Sequence, residues 1–421
     1  MGNEATTTIE EIREEAAAFL EANATPKAPA AEQSWGEGSD DVALFEEISA
    51  EEEARLLAEA KAWLAARAEA GLHWLTGPEE LGGRGLTRAH EQVYRAEEAR
   101  YQVPHQGFFG IGLGMVAPTI LAHGQPETLA YLNSMYRGDL GGCQLFSEPG
   151  AGSDLAGLQC RAVRDGDEWL ITGQKVWTSG AHYSDIGEII CRTDPDQPKH
   201  RGLTGFVVDM RAPGVEVRPL RQMTGGTAFN EVFFDEVRVP DHHRLGDVNQ
   251  GWTVALTTLM NERAAIGGGG GGGGGMGLAG AARLIQMMRH FGVAEDPVVR
   301  DELARLYTGY QVARFTNQRA AANIKAGGAP GPELSIGKLA LTANLAATAE
   351  FVARVLGPRL QADTGEWGTY AWGKFVCGVP GMRIAGGSDE TLRNIIGERV
   401  LGLQKEPGID TTSAFKDLPS S

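Results

Sequence analysis

The stretch LMNERAAIGGGGGGGGGMG, Leu259 to Gly277, sets a carboxylate and a guanidinium, Glu262 and Arg263, directly before nine consecutive glycines. A glutamate can act as a general base when partial burial lifts its pKa toward the working pH. Glu262 lies three residues past Leu259, on the flank of an apolar helical face, where such burial is within reach. The glycines admit three readings. A phosphate cradle needs a preceding strand and a helix that opens after the turn; here Leu256, Leu259, Met260 and Arg263 follow helical spacing and no GK[ST] closes the run. A flexible linker fits, since glycine is a poor helix former. So does a helix that needs almost no side chain where something bulky approaches its backbone.

The elements that must position Glu262 change texture twice along the 421 residues. From Ile9 to about Arg137 the chain is rich in Ala, Glu, Leu and Arg with helical spacing, as in AEEEARLLAEAKAWLAARAEAG and RAHEQVYRAEEARY. TPKAPAAEQSWGEGSDD reads as a loop between two of these helices. From Cys143 to Asp247 short strand-forming runs alternate with turn signals: EWLITG, EIICRT, TGFVVDM, GVEVRPL and NEVFFDEVRVP. After Gly251 helical patterning returns, through GWTVALTTLMNERAAI, VVRDELARLYTGYQVARFTNQRAAANI and GKLALTANLAATAEFVARVL. The expectation is an α+β multidomain chain, with a helical domain over 1–141, a β domain over 142–247 and a helical domain over 248–421.

Charge and composition narrow the partners. A formal net charge of -17 repels polyanions, and no basic patch offsets it, so no nucleic-acid surface is expected. Four scattered cysteines without CxxC spacing point to reduced thiols in a cytoplasmic protein, and no metal site is expected. GFFGIGLGMVAPTILAHG is broken by glycines and Pro118 and is too short to cross a bilayer, so no membrane insertion is expected. The first residues are acidic, unlike a signal or transit peptide, and Met1-Gly2 with Thr6 matches a myristoylation pattern that lacks basic support.

CQLFSEPGAGSDLAGLQC, followed by EWLITGQKVWTSGAHYSD, is too specific for a generic turn and strand. It closely resembles the flavin-binding region of acyl-CoA dehydrogenases, with EPGAGSD the most diagnostic piece. PEELGGRGLT, HGQPETLAYLNSMYRGD, FNEVFFDEVRVP and RNIIGERVLGLQKEP continue the resemblance over nearly the whole chain. It implies that family's fold, bound FAD, and α,β-dehydrogenation of an acyl-CoA in lipid metabolism, as in β-oxidation. An electron-transfer flavoprotein is the implied acceptor. Small residues from Glu148 to Asp154 would let backbone approach a pyrophosphate, with peptide N–H groups and Ser153 as donors. By resemblance Phe146, Ser147, Gly152 and Ser153 line the FAD. Trp177, Thr178 and Ser179 match the segment that packs on the isoalloxazine and bonds near its N5, and Ser388 and Glu390 match positions that approach FAD.

In medium- and short-chain members the base is a glutamate in a Tyr-Glu-Gly-Thr segment, where this chain has Gly386. Isovaleryl- and long-chain-type members carry it in a Glu-Arg pair after the β domain, which is Glu262-Arg263 here. That assigns Glu262 as the base that removes the α-proton and has the glycines continue its helix. Asp389 and Glu390 are rival carboxylates beside Gly386. Ser153, Arg263 and Gly386 are the positions brought to the acyl-CoA. Gly110, Gly112 and Gly114 would open the acyl pocket to a branched or bulky group. The family's Arg-x-x-Phe-Gly, which lends an arginine to the FAD of an adjacent subunit, is replaced by MMRHFG, with Met288 in the arginine's place and Arg289 as a substitute. A homotetramer packed through GKLALTANLAATAEFVARVL is expected. Two alternatives share the fold: a flavin oxidase and a non-catalytic subunit.

Overall fold

The computed structural model describes residues 7–28, 34–45, 48–267, 280–325, 331–405 and 412–418. Helices α1 (Ile9–Asn23), α2 (Ala50–Glu69) and α3 (Arg88–Glu98) form the first layer. A Thr8–Glu11 capping box starts α1, and its stripe of Ile12, Ala16, Phe19 and Leu20 packs on Trp63 of α2 and Tyr94 of α3. Two short antiparallel strands, β1 (Thr25–Pro26) and β2 (Tyr101–Gln102), tie this layer together. The chain then winds through the π-helical turn Gly112–Val116 into α4 (Ala117–His123), α5 (Pro126–Leu129) and α6 (Tyr131–Arg137). The glycines expected to widen an acyl pocket divide here. Gly110 and Gly114 face open space, whereas a Cβ on Gly112 would meet the Gly142 nitrogen at 3.0 Å.

The middle of the chain is a mixed sheet. Its strands are β3 (Gly142–Leu145), β4 (Arg161–Asp165), β5 (Glu168–Ser179), β6 (Ile186–Arg192), β7 (Leu203–Asp209), β8 (Val215–Leu220), β9 (Phe229–Pro240) and β10 (Arg244–Leu245). The order is β10-β7-β6-β4-β5-β9-β8, with β3 parallel to β6. One face closes over Leu145, Ile171, Phe206 and Val237. The other contributes Ile186, Ile190 and Val207 to a core shared with α4 and with Val254 and Ala255 of the next helix, α7 (Gly251–Gly267).

Beyond α7 come α8 (Ala281–His290), α9 (Pro297–Lys325), α10 (Leu334–Leu356), α11 (Ala371–Ile384) and α12 (Asp389–Ile395). The succession helical, β, helical expected from the sequence is the one observed. α7 continues into Gly267, the first glycine of the run; Gly268 to Gly275 lie outside the described residues. By length and composition alone the helical stretch Ser335–Leu360 could cross a membrane. In the fold, Leu345, Phe351, Val352 and Leu356 of α10 share a core with Leu284 and Met287 of α8, Leu306 of α9 and Trp372 and Phe375 of α11. Leu345 and Leu356, two of the leucines expected at a subunit interface, thus lie in one chain's own core. The exposed apolar side chains of this bundle include Val298, Tyr307, Val312 and Phe315 of α9. The loop before α2 crosses to the same bundle: Trp35 stacks on His290 and meets Trp367 edge-on, and Arg283 donates to the Asp40 carbonyl.

Candidate active site

The Glu148–Asp154 loop is held at both ends by buried charge. Lys175, fully buried on β5, donates to Glu148 Oε1 at 2.8 Å and to the Phe146 carbonyl at 3.0 Å. The Glu148 carboxylate, 9% exposed, also accepts the peptide N–H of Gln159 at 2.6 Å and of Cys160 at 2.9 Å. A carboxylate with that many donors is fixed in place, and the turn it begins is fixed with it. Within the turn, Glu148 and Ala151 exchange both backbone hydrogen bonds. At the far end Lys199 donates to both oxygens of Asp154, at 2.7 and 2.9 Å. The Arg192 guanidinium reaches the Ala156 carbonyl at 2.6 Å. The part left free is the middle: Gly152 and Ser153 are exposed, and a Cβ on Gly152 would meet nothing within 4 Å. A cleft of about 510 Å³ opens beside the loop, lined by Glu148, Pro149, Gly150, Gln159, Arg161 and Gln174 among others.

The second half of the motif sits on a bulge. The β5–β9 register slips between Lys175 and Thr178, and Trp177 in the slip adopts φ 62°, a left-handed conformation that costs a bulky residue energy. The bulge turns the indole outward, 57% exposed, while Thr178 is buried with an Oγ1 that has no hydrogen-bond partner. An outward aromatic face beside an orphaned hydroxyl, across from a loop of small residues, is a cradle for a flat polar ring. Those residues fit FAD. Ser179 is half-buried at the end of β5, and Phe146 differs in kind: its ring lies in the core with Val116 and Leu158, and its carbonyl holds Lys175. Trp177 meets Phe229 edge-on at 6.0 Å and Phe229 meets Phe45 at 5.4 Å. Phe45 in turn packs against Gly381 of α11, linking this side of the sheet to the helix that leads to Gly386.

Glu262 is half-buried on α7. Its charge reaches Lys338 of α10, a buried lysine that donates to the Gly387 carbonyl at 2.8 Å. Burial pushes the Lys338 ammonium below its ordinary pKa, and the carboxylates of Asp389, Glu262 and Glu390 oppose that shift. Glu262 and the Gly386–Gly387 turn therefore converge on one cation, although more than a hundred residues separate them. Gly386 and Gly387 have φ of 66° and 89°, a turn closed to most side chains. The rival carboxylates are otherwise engaged. Asp389 is buried and accepts from Thr342 at 2.7 Å and Arg383 at 2.8 Å. Burial would raise its carboxyl, but these bonds and Lys338 hold it below the ordinary value. Glu390 points to solvent, 76% exposed, 3.9 Å from Arg393. Ser388 caps α12 by accepting the Thr391 N–H at 3.2 Å. Of the Arg263 side chain nothing is described. Met288 is core, and Arg289, at the end of α8, is exposed.

Residue types and spacing did not assign Glu148, Lys175, Asp154, Lys199, Arg192 and Lys338 to the site. Glu148 and Asp154 stand inside the diagnostic motif, and their acidic ends were the available signal. The buried cations that answer them are distant in sequence.

The chain matches models of the acyl-CoA dehydrogenase N-terminal domain over residues 6–139, the middle domain over 143–237 and the C-terminal domain over 249–401. It belongs to the acyl-CoA dehydrogenase family and is an oxidoreductase of that kind. It is 41% identical over 326 residues to the acyl-CoA dehydrogenase FadE34 of Mycobacterium tuberculosis, a match covering 77% of this chain and 44% of FadE34. The chain thus spans less than half the length of that relative. It is 38% identical to the acyl-CoA dehydrogenase IpdE1 of the same organism, over 83% of this chain and 89% of IpdE1. Among solved structures, the Tcur3481-Tcur3483 steroid ACAD superposes with a TM-score of 0.71 at 26% identity, covering 96% of this chain and all of that one. The ChsE4-ChsE5 complex from Mycobacterium tuberculosis gives 0.67 at 26% identity over the same shares.

Proposed function

We propose that this chain catalyses FAD-dependent α,β-dehydrogenation of an acyl-CoA thioester with Glu262 as the base. The observation that carries the reading is the convergence of Glu262 and the Gly386–Gly387 turn on Lys338: a carboxylate from α7 serves the position where a turn of two left-handed glycines carries none. Bound FAD supplies the two-electron acceptor for the β-hydrogen at its N5. The chain's own residues do the rest. Gly152, Ser153 and the peptide groups of the loop hold the pyrophosphate. Trp177 packs on the ring system, and the orphaned Thr178 hydroxyl bonds its polar edge. Glu262 takes the α-proton within electrostatic reach of the buried Lys338 cation.

Gly110 and Gly114 leave open space on the helix Gly107–His123, which favours a branched or ring-bearing acyl group over a short linear one. The naming of the Tcur3481-Tcur3483 protein as a steroid ACAD points the same way. An electron-transfer flavoprotein as acceptor and a cytoplasmic setting complete the reading, the latter consistent with four free thiols. The test is a panel of linear, branched and ring-bearing acyl-CoA thioesters with an artificial electron acceptor, run on wild type and Glu262→Gln. The variant should keep its FAD and lose about 100-fold or more in turnover. Near-normal turnover with every thioester removes Glu262 from the role. Reoxidation by oxygen in place of the acceptor identifies an oxidase.

A second reading concerns assembly. Met288 occupies the place of the arginine that family members lend across a subunit interface, and it is buried in the bundle core at 3% exposure. The structural relatives named as Tcur3481-Tcur3483 and ChsE4-ChsE5 pair two different proteins. In this reading a second, non-identical chain completes the FAD site, in place of a homotetramer. Light scattering on the isolated chain separates the two: a tetramer with full flavin supports self-assembly, and a flavin-poor protein supports a mixed complex.

A further inference from the structure

Glu188 lies on β6 between Ile186 and Ile190, on the face that packs against α4 and α7, and is fully buried. Its Oε1 is 2.6 Å from Thr258 Oγ1 of α7. Thr258 Oγ1 is 2.9 Å from Thr119 Oγ1 of α4, and Thr119 Oγ1 is 2.9 Å from the carbonyl oxygen of Met115 in the π-helical turn. Each of these three oxygen–oxygen contacts needs a proton, and the two threonine hydroxyls own two. The carboxyl must provide the third: Glu188 donates to Thr258, Thr258 to Thr119, and Thr119 to Met115. A longer contact, 3.3 Å from Thr258 to the Val254 carbonyl, is left without one in either protonation state. The second carboxyl oxygen, Oε2, is buried with no partner, so an ionised group would leave bare charge in an apolar core.

We propose that Glu188 is a positioning residue for the dehydrogenation, whose proton chain through Thr258 and Thr119 registers α7, one turn before Glu262, against the pocket-side turn at Met115. The inference rests on the reading of Glu262 as base. The chain joins three elements that must agree to within fractions of an ångström for proton transfer: the sheet that carries Trp177, the helix that carries Glu262, and the helix whose open glycines border the acyl group. Burial pushes the Glu188 carboxyl up to about 8. Among the described side chains, the charged and titratable groups on the packed elements are Arg192 and Cys191 on β6, Cys143 on β3, Asp209 on β7, His123 on α4, and Glu262 on α7. None of them is a cause of the shift. A carboxyl raised in the folded state stabilises the register fully below its unfolded pKa and loses that contribution as pH rises through about 8.

The test uses the FAD-loaded full chain and three variants, Glu188→Gln, Glu188→Leu and Thr258→Val. Amide hydrogen exchange over residues 251–262, corrected for intrinsic rates, is read from pH 6 to 9 alongside kcat and KM for the best thioester of the panel. Glu188→Gln can supply the third proton from its amide and should match wild type at pH 6 within about twofold in exchange and kcat, without the rise in exchange that wild type shows as pH climbs to about 8. Glu188→Leu and Thr258→Val should exchange about tenfold faster and lose about tenfold in kcat with KM little changed. Thr258→Val keeps the side-chain volume and decides the matter where Glu188→Leu does not fold. Wild-type exchange and kcat in Thr258→Val overturn the proposal, as does a glutamine variant as impaired as the leucine one. Exchange is read without substrate, so normal turnover in Glu262→Gln would remove the base reading while leaving this result intact.

Discussion

The β-sheet loop around Glu148 and the helical turn around Gly386 lie at opposite ends of the site's sequence and are held by opposite strategies. The loop is pinned by the fully buried Lys175 and by peptide donors from its own stretch of chain, so its shape is settled inside one domain. The turn is pinned by Lys338, which answers charges from α7 and α12 and belongs to neither. A cofactor cradle can therefore be rigid before the helices dock, whereas the catalytic carboxylate acquires its surroundings only when they do. The loop should respond to mutation in stability and flavin content, and the turn in turnover.

The largest effect is expected of Lys175→Met. It leaves the Glu148 carboxylate buried among peptide donors without its cation, at a cost of about 3–5 kcal/mol. Denaturant unfolding should show that loss together with loss of FAD, and a stable, flavin-replete variant would contradict the loop's mode of support. Next in size is Trp177→Gly. Glycine relaxes the φ of 62°, so the flavin-free protein should gain about 1 kcal/mol in unfolding free energy while its FAD affinity falls. Unchanged flavin affinity would take the indole out of the cradle.

On the helical side, Gly386→Ala should cost about 1 kcal/mol because its φ of 66° penalises a Cβ. For the same reason Glu262→Gly/Gly386→Glu should recover no more than a few per cent of the activity Glu262→Gly loses; substantial recovery would show that the turn adapts readily. The smallest effect belongs to Glu390→Gln. Its pair with Arg393 is exposed and 3.9 Å long, so stability should move by less than about 0.5 kcal/mol. A large fall in turnover would return Glu390 to candidacy as base.

Much of the cradle was legible in the chain because it is local. Glu148 to Asp154 and Trp177 to Ser179 are contiguous runs whose small residues and bulge serve one purpose, and the alternation at the start of β5 and of β9 can be read at period two, whereas β6 and β7 are buried along their length. The acyl-pocket glycines were half legible: their spacing showed a surface without side chains, but it could not show that Gly112 faces Gly142 while Gly110 and Gly114 face open space. The apolar run in α10 is ambiguous in the same way. An apolar helix face has one composition whether it meets its own bundle, another subunit or lipid.

The sequence by itself determined the family, the order helical, β, helical, and the absence of a glutamate at position 386. Those depend on residue identity and short-range periodicity, which survive without coordinates. Tertiary structure decided which charges meet. Lys175 answers Glu148, Lys338 bonds the Gly387 carbonyl within electrostatic reach of Glu262, Asp389 is tied to Arg383 and Thr342, and Glu188 finds Thr258 and Thr119. Electrostatic and hydrogen-bond energies depend on distance and burial, and both are fixed only when elements remote in sequence pack together.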